Sequence, residues 1–166
     1  MTQSSFRLII QALNAAGVRY LVVGGIAVNA HGYVRLTVDV DLLIHLDEVN
    51  IVTALRALEN LGYKPTIPVT AEAFAKAENR AEWMAQKQMK VLKLHSGQHR
   101  ETSIDVFVYD PIGFENAYAR AEFEPLAEGL KVPVCGYADL VRLKQLAGRP
   151  KDIADLEQLR KARGEK

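Results

Sequence analysis

The sequence holds a single cysteine, Cys135, among 166 residues. That excludes an intrachain disulfide and a cysteine-rich zinc site, and a reducing cytosol suits it best. Charge of one sign is also missing. The formal net charge is +1, so no global basic field advertises nucleic-acid binding, although balanced totals can hide a local patch. No apolar run approaches the ~20 residues that a membrane helix needs. The opening residues, MTQSSFRLIIQALNAAG, lack the basic start and long apolar region of a secretory signal. The expectation is a cytoplasmic protein that does not engage a membrane. Internal repeats and low-complexity segments are absent too. What remains is ordinary globular composition, 49% hydrophobic and 25% charged, enough for a real core. The length suits one domain, or one with a small appendage.

Hydrophobic spacing sets out the elements. Phe6, Leu8, Ile9, Ile10 and Leu13 give a helical apolar face that stops near Gly17. Arg19 to Val23 is a short buried strand, Gly24-Gly25 a turn, and Ile26 to Ala30 two helical turns. Val38 to His45 is a second strand. Asp47 is placed to cap a helix carrying Ile51, Leu55 and Leu58. Lys64 to Val69 is a strand or extended linker, and Ala71 to Ala85 reads as a helix. Gln88 to His95 and Thr102 to Tyr109 are strands around Ser96-Gly97-Gln98. Phe114 to Ala121 is a short helix or turn, and Phe123 to Leu126 pairs with Leu130 to Val134 as a hairpin. Tyr137 to Ala147 and Lys151 to Ala162 are helices separated by Gly148-Arg149-Pro150. The plan is α+β with a mixed sheet flanked by helices. It predicts a single domain over 1–166, with a catalytic core in 1–112 and a hairpin and helical pair in 113–166.

The chain is organised around YLVVGGIAVNAHGYVRLTVDVDLLIH, residues 20–45. Asp39 and Asp41 bracket one valine, so on a strand both carboxylates face one side, roughly 6–7 Å apart along the chain. An Asp-x-Asp pair alone is weak evidence, but Leu42-Leu43-Ile44 puts this one at the mouth of a buried strand. A third acid, Asp105, lies inside the apolar run IDVFV. Burying a carboxylate there is costly unless a cation or donors neutralise it. One reading pairs Asp105 with an arginine such as Arg35 or Arg100. The other brings Asp39, Asp41 and Asp105 together on adjacent strands around divalent metal. Two hard cations about 3.5–4 Å apart activate an attacking oxygen and steady a leaving one in phosphoryl displacement. Mg²⁺, with Mn²⁺ as a substitute, matches carboxylates plus substrate phosphates. Gly24 and Gly25 would expose backbone N–H groups to those phosphates. Their bland reading is a tight strand-to-helix turn.

The pattern GGIAVNAHGYVRLTVDVDL, with the later acid in SIDVFV, resembles the DNA polymerase beta-type nucleotidyltransferase superfamily. The alternate placing of Arg35, Thr37, Asp39 and Asp41 is most similar to AbiEii-type toxins and small antibiotic nucleotidyltransferases. The run DLVRLKQLAGRPKDIADLEQL strengthens the AbiEii-type resemblance. It implies that Lys144, Lys151 and Asp152 face the active site. It also implies transfer of NMP from a nucleoside triphosphate to an acceptor hydroxyl, with release of pyrophosphate. The implied partners are an NTP, tRNA or another cellular acceptor, and an antitoxin protein. The alternatives are transfer to a small molecule of antibiotic type, or an inactive copy of the fold serving as a binding subunit. Many superfamily members carry Gly-Ser where this chain has Gly24-Gly25, so phosphate binding here rests more on backbone and basic side chains.

Lys144, Arg149 and Lys151 surround the break between the last helices. They would neutralise a triphosphate, or simply form a solvated turn. Asp152 would orient Lys144 or Lys151, or cap the last helix. Arg35 either binds phosphate or, the reading we favour, braces Asp39. Thr37 shares the aspartate face or serves as a β-former. His31 caps or packs, His95 and His99 suggest no metal site, and Cys135 is a small core residue. Tyr63 and Trp83 are better placed for packing than for stacking a base.

Overall fold

The computed structural model describes residues 3–165. The ends of the expected domain, residues 1–2 and 166, lie outside the described residues. In chain order the elements are α1 (Gln3–Ala15), β1 (Tyr20–Val23), α2 (Gly24–Ala30), β2 (Asp39–Ile44), α3 (Glu48–Glu59), β3 (Tyr63–Pro65), α4 (Ala71–Ala75), α5 (Ala77–Lys87), β4 (Val91–Ser96), β5 (Ser103–Phe107), α6 (Phe114–Ala119), β6 (Glu122–Ala127), β7 (Leu130–Val134), α7 (Tyr137–Ala147) and α8 (Pro150–Ala162). The strands form one seven-stranded sheet in the order β3-β4-β5-β2-β1-β7-β6. β2 is antiparallel to β1 and parallel to β5, and β1 is parallel to β7. The expected α+β plan with a mixed sheet is therefore the architecture found. The β6–β7 hairpin belongs to the same sheet as the acid-bearing strands.

The apolar pattern explains the centre of this sheet. Tyr20 to Val23 and Leu42 to Ile44 are all buried, because β1 and β2 are covered on both faces. The N-terminal half of β2 alternates instead, with Val40 buried and Asp39 and Asp41 half-buried. Ile9, Ile10 and Leu13 carry the apolar face of α1 into the core. Asp47 accepts a hydrogen bond from the Asn50 N–H at 2.8 Å, the expected cap of α3. Asn50 is itself buried and spends its side chain on backbone. It accepts from the Arg19 N–H and donates to the Arg19 and His45 carbonyls, pinning α3 to the edges of β1 and β2. No described helix is long and apolar enough to cross a membrane.

Two details differ from the sequence reading. The helix expected over Ala71 to Ala85 is two helices, because Lys76 takes an extended ψ of 118° between α4 and α5. Phe74 is thereby buried, stacked beside Trp83, and Arg80 lies over its ring. The extended stretch from Lys64 contributes only the three-residue edge strand β3, whose Tyr63 hydroxyl donates to the Thr102 carbonyl.

Candidate active site

The register of β2 against β5 builds the acid face. Asp41 stands beside Asp105 and Asp39 beside Ser103. Because both strands have a two-residue side-chain period, all four residues project to the same side. That side forms one wall of a cavity of about 500 Å³. Asp39, Asp41 and Asp105 line it, as do Gly24, Gly25, Arg35, Thr37, Lys144, Arg149, Lys151 and Asp152. Every residue singled out from the sequence for nucleotide or metal contact thus borders one space. Apolar groups complete the walls, among them Leu36, Val38, Phe107, Tyr109, Leu143 and Leu146.

Gly24 and Gly25 have a steric reason. A Cβ on Gly24 would stand 2.1 Å from Asp41 Oδ2, and its φ is +65°. Any L-residue there would be strained and would collide with the carboxylate. A Cβ on Gly25 would meet Thr37 Oγ1 at 2.6 Å. The Gly25 N–H faces the Asp41 carboxylate and favours its charged form. The bare start of α2 therefore serves first as a seat for Asp41. Thr37 lies in the loop before β2, so it reaches the site over Gly25 rather than as part of the strand's acid row.

Burial, then the charge of Asp105, then that of Asp39, push the Asp41 carboxyl up to about 7. Lys144 and the Gly25 N–H pull the other way without prevailing. Asp105 is paired with Lys93, whose ammonium stands 3.0 Å from Oδ1. The same ammonium is 3.8 Å from Asp39, and Ser103 Oγ donates to Asp39. Yet the buried Asp105 Oδ1 receives no hydrogen bond of good geometry. The arginine partners considered for Asp105 are elsewhere: Arg100 donates to the Gly97 carbonyl, and Arg35 turns to α8.

Arg35 does not brace Asp39. It forms a bidentate pair with Asp155, at 2.7 and 2.8 Å. Asp155 also meets Lys144 at 2.9 Å, and Lys144 meets Asp152 at 3.2 Å. Arg149 closes on Asp152 at 2.7 Å, and Asp152 accepts the Arg149 backbone N–H that opens α8. Burial raises both Asp152 and Asp155, but hydrogen bonds outweigh it, from Arg149 and Lys144 in one case and Arg35 and Lys144 in the other. Both carboxyls end below the ordinary range. Asp152 thus orients Lys144 and caps α8 together, while Lys151 is exposed at the cavity edge.

Sequence reasoning gave no site role to Lys93, Ser103 or Asp155, the last read only as a cap or i,i+3 partner of the final helix. Ser103 lies two residues before Asp105, so strand periodicity alone could have placed it on the acid face. Lys93 needs the β4–β5 register, in which it stands opposite Asp105. His31 is structural, hydrogen bonded to the Cys135 carbonyl at 2.8 Å. Tyr63 stacks on His99 in the interior.

Among the described residues no three His, Cys, Asp or Glu side chains are grouped so as to hold a metal ion. Asp39 accepts from Ser103, and Asp105 is paired with Lys93. The donor chemistry still fits a hard divalent cation. Three carboxylates share one face, and burial with the neighbouring charges holds Asp41 against ionisation.

This chain has the nucleotidyltransferase fold. The lincosamide antibiotic adenylyltransferase LnuA, solved with lincomycin bound, matches at a TM-score of 0.61 and 18% identity, covering 96% of this chain and 97% of that one. ANT(2")-Ia, solved with adenylyl-2"-tobramycin, matches at 0.62 and 14%, covering 96% and 88%. An antigenic nucleotidyltransferase-like protein from Paracoccidioides brasiliensis matches at 0.58 and 17%, covering 96% and 74%. No family model matches the sequence, and no curated protein matches it.

Proposed function

We propose that this protein is a metal-dependent nucleotidyltransferase that moves NMP from an NTP to an acceptor hydroxyl and releases pyrophosphate. The observation that carries this reading is the meeting of Asp39, Asp41 and Asp105 on one wall of a cavity whose other walls carry Lys144, Arg149 and Lys151. Asp39 and Asp41 would hold two Mg²⁺ ions, with Asp105 completing one of them. When bound, the ions neutralise triphosphate charge and polarise the reacting oxygens. Asp105 would take the acceptor proton as the acceptor oxygen bonds the α-phosphorus and the bond to the pyrophosphate oxygen breaks. Lys151, and the exposed side of Arg149, are exposed cations on the cavity lining that would meet the departing pyrophosphate, and Lys90 is a third. Lys144 is committed to Asp152 and Asp155, so its part is to set the potential at Asp41. Residues 1–112 and 113–166 act as one domain in this reading, the first supplying the acids and the second the cations.

The acceptor we favour is tRNA or another cellular hydroxyl, as for a toxin held in check by an antitoxin protein. Transfer to a small molecule is the second reading, and the apolar wall of Leu36, Val38, Phe107 and Tyr109 favours it. Incubation with Mg²⁺, each α-labelled NTP and total tRNA labels RNA if the first reading holds. Label entering only a panel of small hydroxylated compounds supports the second. Asp39→Ala should abolish either. Binding of NTP without transfer to any acceptor would leave an inactive binding subunit and refute the enzyme.

A further inference from the structure

Lys93 stands at the acid face but not in the cavity. Its register partner is Asp105, so its side chain emerges on the same side of the sheet. The ammonium approaches the acids from the β4 flank and reaches both Asp105 Oδ1 and Asp39 Oδ1. Among the described residues it is the one cation paired with any of the three acids, and the side chain remains 46% exposed. Lys144 is a contrast, being 7% exposed and fixed between two carboxylates of α8.

We infer that Lys93 is a resident counter-ion that competes with the divalent metal for Asp39 and Asp105. Its pairs engage two of the three carboxylates, at 3.0 Å from Asp105 and 3.8 Å from Asp39. A metal entering from the cavity must draw those oxygens away from it. A lysine suits the task, since its ammonium is a compact, well-hydrated point charge on a flexible stem. Half-exposed, it can return to water at little cost when the carboxylates turn. An arginine with a bidentate grip, as Arg35 has on Asp155, would resist release. In the loaded state the freed ammonium turns to water on the β4 flank and leaves the cavity open to nucleotide. The inference rests on reading the acid trio as a metal site.

The test is direct Mn²⁺ binding by the full chain at pH 8, without nucleotide, followed by the paramagnetic resonance of free Mn²⁺. Lys93→Met should bind Mn²⁺ on the order of tenfold more tightly than the wild type, because one competing positive charge is gone. Lys93→Arg keeps the charge and should stay nearer to the wild-type affinity than Lys93→Met does. Without metal, Lys93→Met should melt lower than the wild type, since Asp105 is left buried and uncompensated, and Mn²⁺ should raise its melting temperature more. If Lys93→Met does not fold, Lys93→Gln carries the same expectation. Wild-type binding that Asp41→Asn removes, with affinity unchanged or weakened in Lys93→Met, overturns the role of Lys93 and leaves the metal site standing. Failure of both wild type and Lys93→Met to bind Mn²⁺ overturns the inference and the metal-site reading together.

Discussion

Asp41 is the residue whose charge the fold tolerates least, and removing that charge should stabilise the protein. Its carboxyl is pushed up from 3.8 to about 7, first by burial and then by Asp105 and Asp39. A shift of roughly three units corresponds to about 4 kcal/mol. The sign follows from proton binding. Between pH 3.8 and 7 the folded chain holds this proton more firmly than the unfolded chain. Stability from this group is therefore greatest at low pH and falls as pH rises through that window. Above about pH 8 the full cost is present. Asp41→Asn keeps the shape and can still turn an oxygen to the Gly25 N–H, but carries no charge at any pH. In urea unfolding with a metal chelator present, Asp41→Asn should gain over the wild type by about 3 kcal/mol more at pH 8 than at pH 4.5. For a chain of this length each kcal/mol moves the melting temperature by about 2–4 °C. The paired carboxyls Asp152 and Asp155 titrate alike in both proteins and cancel from the difference. Nucleotide transfer should be lost in the same variant. A stability difference that does not grow with pH would refute the reasoning, because Asp41 would then not bear the charge of its neighbours.

Gly24→Ala puts a Cβ 2.1 Å from Asp41 Oδ2 at a φ of +65°. It should cost at least about 1–2 kcal/mol in urea unfolding from backbone strain alone, with activity lost through the displaced carboxylate. Lys144→Met removes the ammonium shared by two buried carboxylates. About 3–5 kcal/mol should be lost at pH 7, and a loss under 1 kcal/mol would show that Arg35 and Arg149 suffice. The Cys135 thiol is pushed up to about 12, mainly by burial. A disulfide reagent at pH 8 should leave it untouched in the native protein and modify it fully in denaturant.

The acid pair was legible because strand periodicity is local: Asp39 and Asp41 must share a face whatever else the chain does. Asp105 was legible for a different reason, as a carboxylate set in an apolar run. What joins them is the parallel register of β2 on β5, and register is a property of pairing that no single segment encodes. The same holds for Lys93, which shares the outer face of β4 with Val91 and meets Asp105 only through the pairing of β4 with β5. Arg35 was misassigned through proximity in sequence. Asp39 is four residues away, yet the loop of residues 31–38 turns Arg35 toward Asp155, 120 positions on. The break at Lys76 was hidden because Ala71 to Ala85 is rich in Ala and Glu and has no Gly or Pro to mark it. Burial of Phe74, a tertiary effect, decides that the backbone bends there.

The molecule carries two charged clusters side by side, and it treats them in opposite ways. Around α8, Asp152 and Asp155 are nearly inaccessible, and each has two basic partners, so the cluster is closed and both acids stay ionised. On the β2–β5 face Asp39 and Asp105 share one flanking lysine, and among the described residues Asp41 has no paired cation. Structural need cannot explain the difference, since an apolar or amide residue at Asp41 would cost the fold less than the carboxylate does. The sheet holds that carboxylate in place by other means, with a strained glycine to admit it and a backbone N–H facing it. Charge deliberately left uncompensated on a rigid element is what a site needs if its counter-charge arrives from outside. The closed cluster next to it makes that tolerable, because Lys144 is locked where its field partly offsets Asp41 without moving to quench it.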